Sequence, residues 1–308
     1  MAYVGNIHIW KKCKDRILIL RHWGGVGDIL NTRMIFYDLK RTCPNYEITY
    51  AIPPNLFPLI QDHPFIDRYI DFSKVKLEEY GFYANISTAC GEYESKKIPY
   101  VDKHRSDIWA NSFGLELTRH EMDIQFDVSE LRWADRWWKS HGLNDEIVVG
   151  LAPISAHPCK NLEPEKTQEL IYTLNMYGIR VILFHNQDTP FEMCLKPRLS
   201  LREWMVLVNK CDFIITVATS MFCLANGLHK PTIAIFGNED LDIYGKYFPE
   251  MIPIQRHRKK DPDWQPCPCW QGLNCKIQKG VYPPPCIQSI TVGEIMNHVH
   301  ELVKRLQS

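Results

Sequence analysis

The stretch Arg16-Ile-Leu-Ile-Leu-Arg-His-Trp-Gly-Gly-Val-Gly-Asp28 joins a short apolar run to a glycine-rich loop. A helical pattern follows it, with apolar residues at Ile29, Met34 and Leu39. This change of period predicts a β-strand, a glycine turn and an α-helix. At such a junction the first free N–H groups of the helix favour anionic or polar ligands. The stretch therefore predicts an α/β fold with a loop that faces a ligand.

Three glycines, Gly24, Gly25 and Gly27, would let a ligand approach the backbone of this loop. The loop is not G-x-G-x-x-G and has no Lys-Ser/Thr ending, so it satisfies neither the dinucleotide nor the P-loop fingerprint. Asp28 places a carboxylate where a phosphate would bind in those folds. One interpretation of Asp28 is a catalytic or acceptor-binding role, and the other is a helix N-cap.

Acidic and basic residues balance, with 36 Lys plus Arg and 36 Asp plus Glu among 308 residues. The net charge therefore gives no indication of binding to nucleic acid or to an anionic membrane, and any such contact must use a local charged surface. The length and the 45% hydrophobic content predict two domains with separate cores. No apolar run reaches membrane-spanning length and no signal-type segment is visible, so we expect a cytoplasmic protein.

Apolar runs and helical periods alternate along much of the chain, which predicts parallel sheets with right-handed crossovers. Residues 73–125 are less periodic, and we place excursions and an acceptor-facing surface there. The expected strands after the first are 46–52, 68–72, 147–152, 180–184, 213–216 and 232–236, and the expected helices include 56–61, 131–141, 164–177, 201–209 and 220–228.

Two such series predict two Rossmann-like, doubly wound domains that face a cleft, one over residues 1–145 and one over residues 146–308. The second includes a Cys-rich segment at 264–288, within the weakly periodic stretch 237–288. A closing helix is expected after it, because Thr291 and Glu294 have capping-box spacing.

Several segments, in order along the chain, are similar to motifs of one enzyme family. Gly-Val-Gly-Asp28-Ile-Leu resembles a Leu-Gly-Asp opening, and Leu59-Ile-Gln-Asp-His-Pro-Phe-Ile-Asp67 resembles a His-Pro-x-(Val/Ile)-Asp turn. The later matches are Ala152-Pro-Ile-Ser with Pro158-Cys-Lys160 and Pro164-Glu165, Ser200-Leu-Arg-Glu203, Cys211-Asp-Phe-Ile-Ile-Thr216 and Lys230-Pro-Thr-Ile-Ala-Ile-Phe-Gly237. From about residue 16 to the C-terminus, the chain thus resembles glycosyltransferase family 9, the ADP-heptose lipopolysaccharide heptosyltransferases and their relatives.

The resemblance implies the GT-B fold, with the acceptor on the N-terminal domain and the nucleotide sugar on the C-terminal one. It also implies inverting transfer without an obligatory catalytic metal, in which an acceptor hydroxyl attacks the anomeric carbon as nucleoside diphosphate leaves. Asp28 matches the general base of the family, which must lie within hydrogen-bond reach of that hydroxyl.

The resemblance favours an ADP-sugar as the donor. One candidate donor-binding residue comes from a match to the family, and three come from their positions next to predicted strands and helices. Lys160 matches a phosphate-contacting lysine, and a solvated loop lysine is the alternative. Thr219 and Ser220 open a predicted helix, where they would either hold phosphate or cap the helix. Asp188 follows the expected strand 180–184 and is a candidate acceptor for a ribose hydroxyl.

One segment, Ala218-Thr-Ser-Met-Phe-Cys223, departs from the family pattern Asp-Ser/Thr-Gly-x-x-His, since both the Asp and the His are absent. The departure leaves open a different donor or sugar, or a site that has lost activity. A non-catalytic binding or assembly protein with this fold is the first rival hypothesis, and a nucleotide-sugar epimerase is the second.

Four of the eleven cysteines, Cys267, Cys269, Cys275 and Cys286, are clustered in the C-terminal part. In a reducing compartment such a cluster is typical of a structural zinc or iron site. The C-x-C spacing is tighter than the usual zinc pattern, so redox or disulfide pairs and cysteines without a metal are the alternatives. A similar Cys-rich segment occurs in the iron-binding autotransporter heptosyltransferases.

The run Arg256-His-Arg-Lys-Lys260 is dense in positive charge. A solvated loop is one interpretation, and a site for a phosphorylated saccharide or nucleic-acid acceptor is the other. The resemblance favours a saccharide acceptor, while a protein side chain or a modified phage DNA base remains an alternative.

Overall fold

The computed structural model describes residues 7–9, 15–256, 269–270 and 282–307. The chain divides into two compact units, Met1–Ile98 with Asp102–Gln125 and Pro99–Val101 with Phe126–Ser308. Each unit contains its own β-sheet, as the alternation of apolar runs and helical periods predicts.

The strands follow the short buried runs of the sequence. They are β1 (Ile7–Ile9), β2 (Arg16–Leu20), β3 (Glu47–Ile52), β4 (Arg68–Asp71), β5 (Phe82–Asn85), β6 (Ile147–Ala152), β7 (Ile179–Leu183), β8 (Phe213–Val217), β9 (Thr232–Ile235) and β10 (Met251–Ile254). Strands β8 and β9 are buried at every residue, and β2, β3, β6 and β7 at all but one, which is characteristic of parallel strands covered on both faces.

The α-helices connect these strands. They are α1 (Val26–Thr32), α2 (Phe36–Thr42), α3 (Ala89–Lys97), α4 (Arg105–Asn111), α5 (Val128–Ser140), α6 (Pro164–Met176), α7 (Leu201–Lys210), α8 (Ser220–Gly227), α9 (Leu241–Tyr244), α10 (Pro285–Gln288) and α11 (Val292–Gln307). Short 3₁₀ helices lie at Arg33–Ile35, Pro54–Leu59, Phe72–Lys74, Leu77–Glu79 and Pro158–Lys160.

The sheet of the first unit has the strand order β1-β5-β2-β3-β4 within the described part of the chain. Strand β2 lies at its centre and pairs in parallel with β3 and β5, and β1 pairs with β5 in the antiparallel sense. The central position of β2 brings the loop after Leu20 to the carboxyl edge of the sheet. Binding residues in open α/β sheets lie at this edge.

The sheet of the second unit has the order β10-β9-β8-β6-β7, and all of its described pairs are parallel. Strand β10 lies at an edge and contains Pro253, which has no N–H to donate to a neighbouring strand. The carboxyl ends of β6, β8 and β9 therefore meet at one edge, and they lead to Lys160, Thr219 and Asn238 respectively.

Helix α5 belongs to the second unit, although the sequence places it before a boundary at residue 145. Its side chains explain the grouping, since they contact α7. Arg202 makes two hydrogen bonds of 2.6 Å to Glu130, and Lys210 donates to Asp135 at 2.8 Å. The period of the helix shows that α5 forms, but not which sheet it accompanies.

The closing helix α11, which the capping-box spacing of Thr291 and Glu294 predicts, packs on the second sheet. Its buried face consists of Val292, Ile295, Met296, Val299 and Leu302. Burial of each such side chain stabilises the fold by about 1.5–3 kcal/mol before entropy is deducted. Among the described residues, no helix is both long enough and apolar enough to cross a bilayer.

Candidate functional site

Asp28 lies in the first turn of α1, at the carboxyl edge of the first sheet. The residue that precedes this helix as its N-cap is Gly25, and no side chain caps the helix end. The N-cap interpretation of Asp28 is therefore wrong. Its carboxylate has different partners, which the local sequence does not reveal.

Two guanidinium groups hold the Asp28 carboxylate. Arg21 donates to Oδ2 at 3.2 Å and Arg105 donates to Oδ1 at 2.8 Å. Arg105 also donates from Nε and Nη2 to Glu94, at 2.7 Å and 3.0 Å. Two arginines thus face two carboxylates, which balances the formal charge of the cluster and fixes the orientation of Asp28.

Arg21 and Glu94 are the most buried members of this cluster, each with 4% of its surface exposed. The guanidinium of Arg21 packs against an aromatic ring. The guanidinium carbon lies 4.6 Å from the centre of the Trp109 ring, where a cation–π contact is favourable. Within the described part of the chain, its Nε and Nη1 atoms have no hydrogen-bond partner. The cluster therefore retains buried donors that the fold itself does not use.

The loop glycines differ in what they do. Gly24 has φ +147°, and a Cβ built on it would lie 2.7 Å from the Arg21 guanidinium, so a side chain here would collide with the cluster. Gly25 is the N-cap of α1, and Gly27 lies within that helix. The predicted acceptor contacts of these three glycines stay predictions, while Gly24 has a clear structural reason to be glycine.

Lys160 ends the 3₁₀ helix Pro158–Lys160, on the loop that follows β6. Its ammonium donates to Oε1 of Glu239, whose side chain is 2% exposed, against 22% for Lys160. The solvated-loop interpretation is therefore wrong, because the cation is paired with a buried carboxylate. The pair lies at the edge of the second sheet where we predict the donor diphosphate.

The loop that carries Lys160 is held by its own side chains. Asn161 accepts from the Ser155 N–H at 2.7 Å, and the His157 Nδ1 accepts from the Cys159 N–H at 3.3 Å. Burial raises the pKa of the Cys159 thiol, so this cysteine packs as a small neutral group. A loop of this kind presents Lys160 in a defined position.

Thr219 is the N-cap of α8, and its hydroxyl accepts from the Met221 N–H at 3.1 Å. The same hydroxyl lies 3.2 Å from that of Thr216. Capping therefore occurs at Thr219, and it leaves the N–H group of Ser220, the first residue of α8, at the edge of the sheet. Cys223, where the family pattern has histidine, is fully buried in α8.

Asp188 lies on a loop after β7 and pairs with Arg198 at 2.8 Å and 3.0 Å. Both side chains are almost fully exposed, at 89% and 87%. An exposed pair of this kind contributes little to stability. None of its described contacts joins it to Lys160 or Thr219, so its role with ribose stays a prediction.

Two residues that the sequence reasoning missed follow β9. Asn238 and Glu239 are 2% and 1% exposed. Both side-chain amide atoms of Asn238, and Oε2 of Glu239, have no hydrogen-bond partner in the described ranges. Their position directly after a buried strand, at the ligand-binding edge of a parallel sheet, is the signal that could have found them.

The predicted metal ligands are only partly described. Cys267 and Cys275 lie outside the described residues, and Cys269 and Cys286 lie within them. Cys286 belongs to the apolar core of the second unit. Among the residues that the structure describes, no three His, Cys, Asp or Glu side chains converge in a way that could hold a metal ion. The metal site therefore stays a prediction.

The basic run is also divided. Arg256 makes two hydrogen bonds to Glu294, at 2.7 Å and 2.6 Å, and two to Ser289, both at 2.8 Å. Arg256 thus ties the end of β10 to α11 instead of facing solvent as the start of a charged patch. Residues 257–260 lie outside the described residues.

Comparison with solved structures shows the same fold in several proteins. A glycosyltransferase family 9 protein from Veillonella parvula aligns with 95% of this chain and 97% of its own, at 16% identity and a TM-score of 0.70. E. coli ADP-heptose LPS heptosyltransferase II aligns over 95% and 100%, at 14% identity and a TM-score of 0.67. The iron-containing dodecameric glycosyltransferase TibC, from enterotoxigenic E. coli, aligns over 94% and 76%, at 16% identity and a TM-score of 0.67. These likenesses confirm the predicted α/β fold of the GT-B type.

The sequence itself has a family match. No curated protein sequence matches the chain. The sequence model of glycosyltransferase family 9 (heptosyltransferase) matches residues 95–268, which is more than half of the chain. The protein belongs to glycosyltransferase family 9.

Proposed function

We propose that this glycosyltransferase moves a heptose or a related sugar from an ADP-sugar to an acceptor hydroxyl, with inversion and with Asp28 as the general base. The observation that supports this most strongly is the Asp28 carboxylate, which is held by Arg21 and Arg105 at the ligand-binding edge of the first sheet. The Asp28 carboxylate does not cap the N-terminus of α1.

In the proposed reaction, an acceptor oxygen forms the new bond to the anomeric carbon while the bond from that carbon to the diphosphate oxygen breaks. The hydroxyl proton passes to a carboxylate oxygen of Asp28, and the nucleoside diphosphate leaves with the bonding electron pair. Each carboxylate oxygen has two lone-pair sites. The guanidinium contacts therefore leave a site free for the hydroxyl, and they fix the direction of the carboxylate.

The donor diphosphate would bind to the second unit. Lys160 supplies positive charge, and Thr219 and Ser220 supply hydroxyl and N–H groups where α8 begins. To bind a phosphate oxygen, Lys160 uses N–H donors that do not point at Glu239, since an ammonium has three. Asp188 remains our candidate for a ribose hydroxyl.

We infer an ADP-sugar because the family is described as heptosyltransferase and because a neighbour in fold is an ADP-heptose LPS heptosyltransferase. The same comparison supports a saccharide acceptor. A protein side chain or a modified DNA base would have to use a local basic surface, since the net charge is +0. We propose a cytoplasmic location for the enzyme.

A structural zinc or iron at Cys267, Cys269, Cys275 and Cys286 also stays a proposal. Its support is the spacing of the four cysteines, and TibC, one of the neighbours in fold, is described as iron-containing. Elemental analysis of the purified protein tests it. One zinc or iron per chain would support the site, and no metal in a folded sample would end it.

The donor proposal is tested by calorimetric titration of the purified protein with ADP, UDP, GDP and CDP and with their common sugar conjugates. Selective binding of ADP and an ADP-sugar is the expected result. Binding of another diphosphate would change the donor. No binding by a folded sample would favour the rival non-catalytic protein, which the Ala218 and Cys223 departures motivate. Release of free nucleotide and an altered sugar without acceptor would instead reveal an epimerase.

A further inference from the structure

We propose that Asn238 and Glu239 form a subsite for sugar hydroxyl groups of the donor, beside Lys160. This inference rests on the proposed function, because it takes the edge of the second sheet as the donor site. It adds two residues that neither the family match nor the sequence motifs assign.

The first support is unused hydrogen-bonding capacity. Asn238 and Glu239 are nearly fully buried, yet both amide atoms of Asn238 and Oε2 of Glu239 have no partner in the part of the chain that the structure describes. Buried polar groups are almost always hydrogen-bonded, because leaving them without a partner costs stability. Three such atoms on two consecutive residues point to a ligand that supplies the missing bonds.

The second support is that the backbone of the two residues is fixed. The carbonyl of Asn238 accepts from the Trp270 N–H at 2.7 Å. The carbonyl of Glu239 accepts from Nε2 of Gln255, whose Oε1 accepts from the Leu241 N–H at 3.0 Å. The fold thus fixes the main chain here, while both amide atoms of Asn238 and Oε2 of Glu239 have no hydrogen-bond partner among the described residues. A fixed backbone with unused side-chain atoms is typical of a preorganised binding site.

The chemistry of the three side chains selects the ligand. The Lys160 ammonium disfavours a metal cation, and the Glu239 carboxylate disfavours a phosphate oxygen, which has no proton to donate. The remaining atoms offer two acceptors, Asn238 Oδ1 and Glu239 Oε2, and a donor at Asn238 Nδ2. Hydroxyl groups, which both donate and accept, match this set. Lys160 is the more exposed partner of the pair, so we expect a ligand to approach from its side.

Two parts of an ADP-sugar carry such hydroxyls, the ribose and the transferred sugar. The experiment distinguishes them by calorimetric titration with ADP, ADP-heptose and 2′,3′-dideoxy-ADP. The test variant is Asn238→Leu, which keeps the shape of the side chain but removes both polar atoms. The matched control is Thr167→Val in the same unit. It also removes a buried polar group that has no partner among the described residues, in this case the hydroxyl of Thr167.

The expected result for Asn238→Leu is an unchanged or higher melting temperature, because the substitution removes two buried polar atoms that make no bonds in the free protein. Its affinity for ADP-heptose should fall roughly tenfold, as expected from the loss of one or two hydrogen bonds. Unchanged ADP affinity would assign the subsite to the transferred sugar. Loss of ADP affinity, with dideoxy-ADP binding equally to variant and wild type, would assign it to the ribose.

A second variant, Glu239→Gln, sharpens the test because it removes a negative charge near the diphosphate. If the subsite holds the transferred sugar, ADP should bind as well as before or more tightly, while the preference for ADP-heptose over ADP falls. If the subsite holds the ribose, the affinity for ADP should fall while that for 2′,3′-dideoxy-ADP does not. If both variants bind all three ligands like the wild type, or if Asn238→Leu lowers the melting temperature by several degrees without changing affinity, the subsite is overturned. If Lys160→Ala also leaves ADP affinity unchanged, the proposed donor site fails with it.

Discussion

Two arginines of the first unit are both buried, but they differ in how completely their hydrogen bonds are used. Arg33 is 0% exposed and all five of its N–H groups donate, to the carbonyls of Met122, Leu59 and Asp123 and twice to Asp62. Arg21 is 4% exposed, and in the described structure its guanidinium donates only to Asp28, while Nε and Nη1 have no partner. The hydrogen bonds of Arg33 stabilise the fold, whereas Arg21 keeps N–H groups on Nε and Nη1 that could bind a ligand.

The same distinction separates the two family-like motifs of that unit. In the His-Pro turn, His63 Nε2 donates to the Arg33 carbonyl at 3.0 Å and Nδ1 accepts from the Phe65 N–H at 3.2 Å. Burial, aided by the Arg33 charge, lowers the pKa of His63 well below its ordinary value, so the ring is neutral. Both ring nitrogens are used, and the turn is structural. The loop that ends at Asp28 is where the unused donors lie.

The largest effect is expected for Arg33→Met. It removes five donors at once and leaves the Asp62 carboxylate, with 9% of its side chain exposed, without its cation. Loss of one partner from a buried ion pair costs about 3–5 kcal/mol. Chemical denaturation followed by circular dichroism should show a loss of this size. Ordinary surface substitutions change stability by only about ±0.5 kcal/mol, so a variant within about 1 kcal/mol of wild type would refute the structural role of Arg33.

A smaller and different effect is expected for Arg21→Met. The substitution replaces a guanidinium that is incompletely bonded by an apolar side chain of similar length beside Trp109, so the loss of folding stability should be clearly smaller than in Arg33→Met. Sugar transfer should fall about 10- to 100-fold because Asp28 loses one of the two groups that orient it. The conservative Arg21→Lys should recover part of the rate. A variant with full activity would remove Arg21 from the site.

Lys160→Ala extends the comparison to the second unit. ADP affinity should fall about tenfold, since a charge-assisted contact to the diphosphate is lost. The matched control is Lys210→Ala, which removes a partly exposed lysine that pairs with Asp135 in the same unit. Calorimetric titration measures both. Equal ADP affinity in Lys160→Ala and Lys210→Ala would show that Lys160 does not bind ADP and serves only the ion pair with Glu239.

The smallest effect concerns pH and His63. Its pKa is lowered in the folded state, so below the ordinary value near 6.5 the unfolded chain binds a proton that the folded chain does not. Stability should therefore fall as the pH drops below about 6.5, by up to about 1.4 kcal/mol per pH unit, and this contribution vanishes above that pH. His63→Asn should show a shallower decline between pH 6.5 and 5 in denaturation experiments. Identical slopes would contradict the neutral, structural histidine.

Much of the fold could be predicted because its strands are short, buried apolar runs. Strands β6 and β8 and helices α6 and α7 lie within a residue of their predicted bounds. The failures have local causes. Strand β5 has only four residues and lies in the weakly periodic stretch 73–125, and β10 contains a proline that disfavours a strand except at an edge.

The long first helix was predicted as continuous, but the structure interrupts it with a 3₁₀ turn at Arg33–Ile35. The apolar period runs through both α1 and α2, so it gives no sign of the interruption. In this turn Arg33 lies at the centre of its five hydrogen bonds, to residues as far along the chain as Asp123. Tertiary contacts of this kind override a local period.

The site was predictable only in part, for a related reason. Asp28 and Lys160 are candidates because they resemble family motifs, but Arg105 is 77 residues from Asp28 and Glu239 is 79 residues from Lys160. Periodicity describes neighbours along a helix or strand and carries no information on such pairings. Glu239 could have been found as a polar residue after a buried strand, whereas nothing local marks Arg105.

The central claim is that Asp28 is the base of a sugar transfer, and the most direct measurement compares Asp28→Asn with wild type. ADP-heptose and a lipopolysaccharide core saccharide would be supplied, ADP release followed, and ADP affinity measured in parallel. We predict a loss of about 10²- to 10⁴-fold in turnover, with ADP affinity unchanged within about twofold. Full turnover by Asp28→Asn would contradict the claim.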